Sequence, residues 1–416
     1  MNTEKSSKDI LIKLNPFVPD KPAALEVFVG REQERKQIIN SLFRTYKNSS
    51  ENILIKGERG IGKTSLALLT EYLSTFLSEI IGDKEIKYFT VFVSLGQVKS
   101  VEDIAIKILE SCYRKLKESQ NKVYENIKGT LKNIKGFSIG GYGIQFDFKE
   151  DPKSIYYKFD SLLIDLWEKL KNKFTAMLII IDETDVISND KQFPSFFKSI
   201  IESLNHEKIG NIMFLLTATP MGISNFIKNH QAFLRLFRII EISNLNRDES
   251  DSLIEKALEK GQPLVKADKG FLNVVFKYSD GYPCFIHEIC YSAFEVNNDE
   301  ILDRIDFING IVGTSSVKGA IINIFDKHFR QRYTEDILSN SYRDILHILA
   351  SFNENEIKSS EIQKKFKGNK NTCSTYLSRM VERGIIKKCE GKKGYYCIPE
   401  SMFKLWLNLS KMKKEP

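Results

Sequence analysis

The chain has 416 residues, of which 42% are hydrophobic and 28% charged, the range of globular proteins with a real buried core. That excludes a disordered, fibrous or membrane-embedded chain, since the longest clean apolar run, Ala176 to Ile181, falls far short of the roughly 18 residues a membrane helix needs. The net charge of +8 is uneven: residues 356–416 hold 15 Lys and Arg against 6 Asp and Glu, a net of +9, so the preceding 355 residues sum to about −1. A basic excess confined to one end points to a local anionic partner such as nucleic acid.

In chain order, Met1 to Asp9 is polar and lacks the apolar core of a signal peptide, which predicts a cytoplasmic protein. Four short runs rich in Ile, Val, Leu and Phe then alternate with amphipathic helical stretches: Asn52 to Lys56, Tyr88 to Ser94, Met177 to Asp182 and Asn211 to Thr217. Such alternation predicts an α/β core, a parallel sheet flanked by helical crossovers. The first strand runs into Gly57-Glu58-Arg59-Gly60-Ile61-Gly62-Lys63-Thr64, which matches the P-loop pattern at every fixed position. Its glycines let backbone N–H groups curl around phosphate oxygens. The helix that follows, begun by Ser65 and marked by Leu66, Leu69, Leu73 and Phe76, turns its positive N-terminal end to the same charge. All of Gly57 to Ser65 is therefore assigned to nucleotide binding, with Lys63 reaching the β- and γ-phosphates of ATP and Thr64 ligating Mg²⁺ through its hydroxyl.

After the second strand come a helix over Val101 to Glu118 and a segment, Gly136 to Phe148, whose alternating Ile144, Phe146 and Phe148 predict an inserted hairpin turning near Gly140 and Gly141. The third strand ends in Asp182-Glu183, two carboxylates at the sheet edge where ligands gather in open α/β folds. Asp182 is expected to hold Mg²⁺, directly or through water. Glu183 is expected to orient and deprotonate the water that attacks ATP.

About 26 residues ahead of the P-loop, Phe28-Val29-Gly30-Arg31-Glu32-Gln33-Glu34 resembles the phenylalanine-glycine-arginine-glutamate box that opens many AAA+ and STAND P-loop ATPases. The likeness is greatest to the branch of origin-recognition initiators and their prokaryotic relatives, and it implies that Phe28, Val29 and Gly30 contact the adenine. It continues at Phe214-Leu215-Leu216-Thr217-Ala218-Thr219-Pro220, similar to the family's fourth strand and its γ-phosphate sensor, implying Thr217 first and Thr219 second for that role. Phe233-Leu234-Arg235-Leu236-Phe237-Arg238, just before the apolar strand Ile239 to Ile242, lies where the family often carries an arginine finger offered to a neighbouring subunit. Arg235 is the first candidate and Arg238 the alternative. Asp280-Gly281-Tyr282-Pro283 resembles the glycine-x-proline motif of the family's lid, implying that Pro283 touches the nucleotide. The chain departs from the wider pattern at Cys284, where many members carry a second sensing arginine, so lid closure is expected to rest on other groups.

Beyond Asn246 strands disappear, and helices over Asp248 to Gly261, Phe271 to Tyr278 and Phe285 to Val296 predict an all-α lid. Residues 341–410 change character again. Helices Tyr342 to Ser351, Ser359 to Phe366 and Asn371 to Arg383, then paired strands Ile385 to Lys388 and Tyr395 to Ile398, spell a winged helix. The expected domains are a nucleotide-binding core over 1–245, a lid over 246–335 and a winged-helix domain over 336–416. Lysines that anchor phosphates beside a helix of small polar side chains suit major-groove docking. DNA contacts are accordingly assigned to Lys370, Asn371, Thr375 and Arg379 and to the wing's Lys387, Lys388, Lys392 and Lys393. Winged helices also serve as protein interfaces. Two readings follow: an ATP-hydrolysing switch that binds DNA and self-assembles or joins a partner protein, or a signalling or scaffold ATPase whose winged helix contacts protein. The six cysteines and five histidines show no metal-ligand spacing, which predicts reduced thiols and no structural metal.

Overall fold

Two strands at the centre of the sheet are buried at every position, which is why both read as unbroken apolar runs: strands covered on both faces have no solvent side to make polar. The computed structural model describes residues 13–118, 137–140, 143–146, 156, 158–315, 319–320, 325–331, 333–334, 337, 339–389 and 391–412. It divides into two compact units, a sheet unit over Gly30–Ser243 and a helical unit formed by Met1–Val29 with Asn244–Pro416.

The sheet unit runs α1 (Glu32–Tyr46), β1 (Ile53–Lys56), α2 (Lys63–Ile81), β2 (Tyr88–Ser94), α3 (Val101–Glu118), β3 (Phe137–Gly140), β4 (Gly143–Phe146), α4 (Phe159–Leu170), β5 (Ala176–Asp182), α5 (Phe193–His206), β6 (Ile212–Ala218), α6 (Pro220–Asn229) and β7 (Arg238–Glu241). Its sheet has the order β2-β5-β6-β1-β7 with every pairing parallel. Helix α2 lies across β2, β5 and β6, carrying Leu66, Leu69, Leu73 and Leu77 inward. Phe193 stacks on Phe226 with 4.7 Å between ring centroids and meets Phe197 and Phe233, an aromatic cluster beneath α5 and α6. The expected insertion is present as the antiparallel pair β3–β4, with Phe137 opposite Phe146; its turn at 141–142 and its ends at Gly136, Asp147 and Phe148 lie outside the described residues.

The helical unit differs from expectation in three places. Residues ahead of Gly30 do not join the sheet: Phe17, Val27 and Val29 bury in the helical unit's own core, and Leu14 exchanges backbone hydrogen bonds with Gln262 at 2.8 and 3.1 Å. Strands do not vanish after Asn246 either. The chain continues through α7 (Arg247–Leu258), β8 (Lys266–Ala267), α8 (Lys269–Ser279), α9 (Pro283–Val296), β9 (Ile301–Leu302), α10 (Arg304–Val312) and α11 (Asp326–Gln331), and β8 pairs parallel with β9. Two-residue strands are too short to show a period. Finally, the lid helices and the winged helix share one apolar core. The rings of Phe285, Phe325 and Phe329 pack on one another, and Phe329 meets Phe403 and Trp406 of the last helix at centroid distances of 5.1 and 6.1 Å.

That last part comprises α12 (Asn340–Ala350), β10 (Ile357–Lys358), α13 (Ser359–Lys365), α14 (Lys370–Glu382), β11 (Lys387–Lys388), β12 (Tyr395–Cys397) and α15 (Ser401–Met412). The strands form an antiparallel sheet of order β10-β12-β11, so three helices and a wing are in place. The wing strand is shorter than expected because Ile385 and Ile386 are buried and donate their N–H groups to Met380 O, closing α14 instead of pairing with β12. Asp280, at the end of α8, accepts the N–H and hydroxyl of Ser401 at 3.0 and 3.2 Å, fastening α15 to the lid turn. Burial pushes the Asp280 carboxyl above its ordinary range, opposed by those two bonds.

Candidate functional site

The P-loop lies between β1 and α2, at the C-terminal edge of the sheet. Gly57 N–H is held by Ala218 O at 3.2 Å, and Gly60 and Gly62 take φ of 86° and 102°. A side chain at Gly62 would be strained in that left-handed backbone, which frees the loop to turn its N–H groups inward and start α2 at Lys63. Lys63 Nζ donates to Gly57 O and Glu58 O at 2.9 Å each, folding over the loop. Burial lowers the Lys63 ammonium below the usual lysine range, and the carboxylates of Asp185 and then Asp182 oppose that shift. Glu58, Arg59 and Gly60 are exposed at the loop's crest, Ile61 is buried beneath it, and Ser65 is buried in α2.

Asp182 is almost fully buried and is gripped from both sides. Thr64 Oγ1 donates to its Oδ2 at 2.8 Å and Thr217 Oγ1 to its Oδ1 at 2.5 Å. A hydroxyl and a carboxylate this close supply the hard oxygen ligands that Mg²⁺ prefers, so the residues present fit that ion. Glu183 follows with φ of 63°; its N–H donates to Thr217 Oγ1 at 3.0 Å, and its Oε2 accepts from Ser94 Oγ at 2.9 Å. Among the described residues no three His, Cys, Asp or Glu side chains form a ready metal cage, and no helix is long and apolar enough to cross a membrane.

Several contributors escaped the sequence reading. Asp185 accepts both the N–H and the hydroxyl of Thr219, at 2.8 and 2.5 Å, and Thr219 in turn caps α6 by accepting Gly222 N–H at 3.1 Å. Arg31 is buried with φ of 60°, and its Nη2 donates to Ile61 O at 3.3 Å, tying the start of α1 to the P-loop. The only sequence signal for Asp185 was its place three residues after Asp182; for Arg31 it was the box that contains it.

The remaining candidates fall in other places. Phe28, half-buried, and Val29, buried, belong to the helical unit, whereas Gly30, with φ of 67°, begins the sheet unit. Pro283 opens α9, behind Gly281 with its φ of 73°. Arg235 is exposed on the turn Phe233–Leu236 and forms no ion pair among the described residues, while Arg238 pairs with Glu51 at 3.0 Å. In the winged helix, Asn369 caps α14 by accepting Asn371 N–H at 2.8 Å. Cys373, Leu377 and Met380 face the core, leaving Lys370, Asn371, Thr375 and Arg379 exposed on the other side. Lys387, Lys388, Lys392 and Lys393 are exposed on the wing, with Lys392 paired to Glu356.

A P-loop facing the Asp-Glu end of the neighbouring strands, in a parallel sheet of this order, defines a P-loop NTPase core, here joined to a helical lid and a winged helix. At the level of fold it resembles two solved structures. The structure is similar to that of the Aeropyrum pernix ORC2 protein, solved as ADPNP–ADP complexes, with a TM-score of 0.60 and 14% identity over 92% of this chain and 95% of that one. It is also similar to a Walker-type ATPase of Pyrococcus abyssi, with a TM-score of 0.51 and 13% identity over 93% of this chain and 98% of that one. In sequence, the chain is 23% identical over 405 residues to an uncharacterized HTH-type transcriptional regulator of Methanocaldococcus jannaschii, covering 94% of this chain and 91% of the relative. No protein-family model matches the chain.

Proposed function

We propose that the chain is an ATP-binding and ATP-hydrolysing molecular switch that engages DNA through its winged helix. The observation that carries the nucleotide half is Asp182, held at 2.8 Å from Thr64 beside the P-loop that Lys63 covers. In this reading Gly57 to Ser65 wrap the phosphates, Lys63 turns from its loop carbonyls to the β- and γ-phosphates, and Glu183 takes the proton of the attacking water. Thr64 and Asp182 hold Mg²⁺, which when bound neutralises charge on the phosphates. The adenine is assigned to Phe28, Val29 and Gly30, the lid contact to Pro283, and the subunit-borne cation to Arg235, since Arg238 is paired with Glu51. The ADPNP–ADP complexes of the similar Aeropyrum pernix protein support nucleotide binding.

The DNA half rests on exposed cations in a fold that can use them, and the transcriptional-regulator name of the Methanocaldococcus jannaschii relative supports it. Six free cysteines accord with a reducing compartment, and we place the protein in the cytoplasm. Binding of duplex DNA across a salt titration, wild type against a variant with Lys387, Lys388, Lys392 and Lys393 changed to Gln, tests this half. The expected result is affinity that falls steeply with salt, with a slope reduced by about 0.9 for each phosphate that the variant no longer neutralises. Binding that ignores both salt and the substitutions would turn the winged helix towards a protein partner. That second reading, a slow signalling or scaffold ATPase, is favoured by one observation: Glu183 is engaged by Ser94.

A further inference from the structure

We infer that Thr217 is a positioning residue, which sets the Asp182 carboxylate and the Glu183 backbone and does not read the γ-phosphate. The inference rests on the hydrolytic reading above. A hydroxyl has one proton to donate and two lone pairs. Thr217 donates that proton to Asp182 Oδ1 at 2.5 Å. One lone pair receives Glu183 N–H at 3.0 Å. Thr217 is wholly buried, so it has no further proton for a phosphate and no open approach to one.

Its two bonds have separate consequences. With Thr64 on Oδ2 and Thr217 on Oδ1, the Asp182 carboxylate cannot rotate, and its Oδ2 edge stays turned to the Thr64 hydroxyl. Glu183 occupies the left-handed region, with φ of 63°, which a non-glycine residue adopts only against steric strain. The N–H bond to Thr217 helps to hold that backbone, and Val186 N–H to Glu183 O closes the same turn at 3.2 Å. Thr184 Oγ1 donates to Thr217 O at 2.6 Å, so the turn after β5 is laced to β6 on both the backbone and the side chain of one residue. Thr219 offers no substitute sensor in this arrangement, since its own proton lies on Asp185 at 2.5 Å.

The test uses the full chain and the variants Thr217→Val, which keeps the shape and removes the hydroxyl, Thr217→Ser, which keeps the hydroxyl, and Thr217→Ala, which leaves room for a water should the valine variant misfold. ATP hydrolysis is followed against Mg²⁺ concentration, and ATP and ADP affinities are titrated separately. For Thr217→Val or Thr217→Ala the expected result is a half-saturating Mg²⁺ raised about tenfold and a kcat lowered about tenfold or more, as for removal of a bond to a charged group. The ratio of ATP to ADP affinity stays within about twofold of wild type, and Thr217→Ser recovers both quantities. A ratio that collapses towards one while the Mg²⁺ requirement is unchanged would make Thr217 a phosphate sensor and overturn the inference. So would variants with unaltered Mg²⁺ requirement and kcat. Wild-type protein that fails to bind Mg-ATP at all overturns the hydrolytic reading itself, a result visible before any variant is compared.

Discussion

Ser94→Ala should accelerate hydrolysis. In the order β2-β5-β6-β1-β7, β2 lies on one side of β5 and β1, which carries the P-loop, lies two strands away on the other. At about 4.8 Å per strand, β1 is roughly 10 Å from β5. Ser94, the last residue of β2, donates to Glu183 Oε2 at 2.9 Å, and a methyl group on Gly96 would stand 3.4 Å from the same oxygen. The carboxylate therefore leans towards β2 and away from the P-loop strand β1, whereas a general base acts only within hydrogen-bond reach of its water. The bond is charge-assisted but exposed, so its net worth is about 1 kcal/mol, equivalent to about a fivefold change in population. Removing the hydroxyl should raise kcat by about fivefold at saturating Mg-ATP and leave KM unchanged, measured by continuous phosphate release. A fall in kcat would refute this reasoning, because it would mean that Ser94 orients the base for attack.

Other predictions concern stability. Gly281→Ala should cost about 3 kcal/mol or more in a urea melt, because φ is 73° and a Cβ there would lie 2.0 Å from Leu245 O, whose residue is bonded back to Gly281 O at 2.8 Å; a change below 1 kcal/mol would show that the lid turn shifts freely. Phe193→Ala, wholly buried among Phe197, Phe226 and Phe233, should cost about 3–5 kcal/mol in the same assay. Burial brings His287 down from 6.5 to about 4, so the folded state keeps the ring neutral while the unfolded chain takes up its proton first. Its contribution is complete above about pH 6.5 and is lost as pH falls towards 4, to a total of about 3 kcal/mol. Melts of His287→Met between pH 7 and 4 should slope less steeply than wild type; parallel slopes would discount the shift.

What could be read from the chain alone was whatever is local and repetitive. β5 and β6 announce themselves because burial on both faces leaves them almost wholly apolar, and the P-loop because its glycines and Lys63 fall within one short stretch of chain. Groups that meet only through the sheet left no such trace. Ser94 reaches Glu183 across 89 positions and Thr219 reaches Asp185 across 34, so neither partner marks the other in sequence. The membership of residues 13–29 was hidden for the same reason: Phe17 and Val27 find their partners more than 200 residues away, in the helical core. Charge, by contrast, was legible as an address, since Lys370 of α14 and the lysines of the wing are exposed where the composition placed them.

The central claim is that this loop holds ATP with Lys63, Thr64 and Asp182. Its most direct test is calorimetric titration of Mg-ATP into nucleotide-free protein, wild type beside Lys63→Ala. One site per chain is expected, with at least a tenfold loss of affinity in the variant, as when charged hydrogen bonds to phosphate are removed. Absence of binding in the wild type, or equal affinity in both proteins, would contradict it.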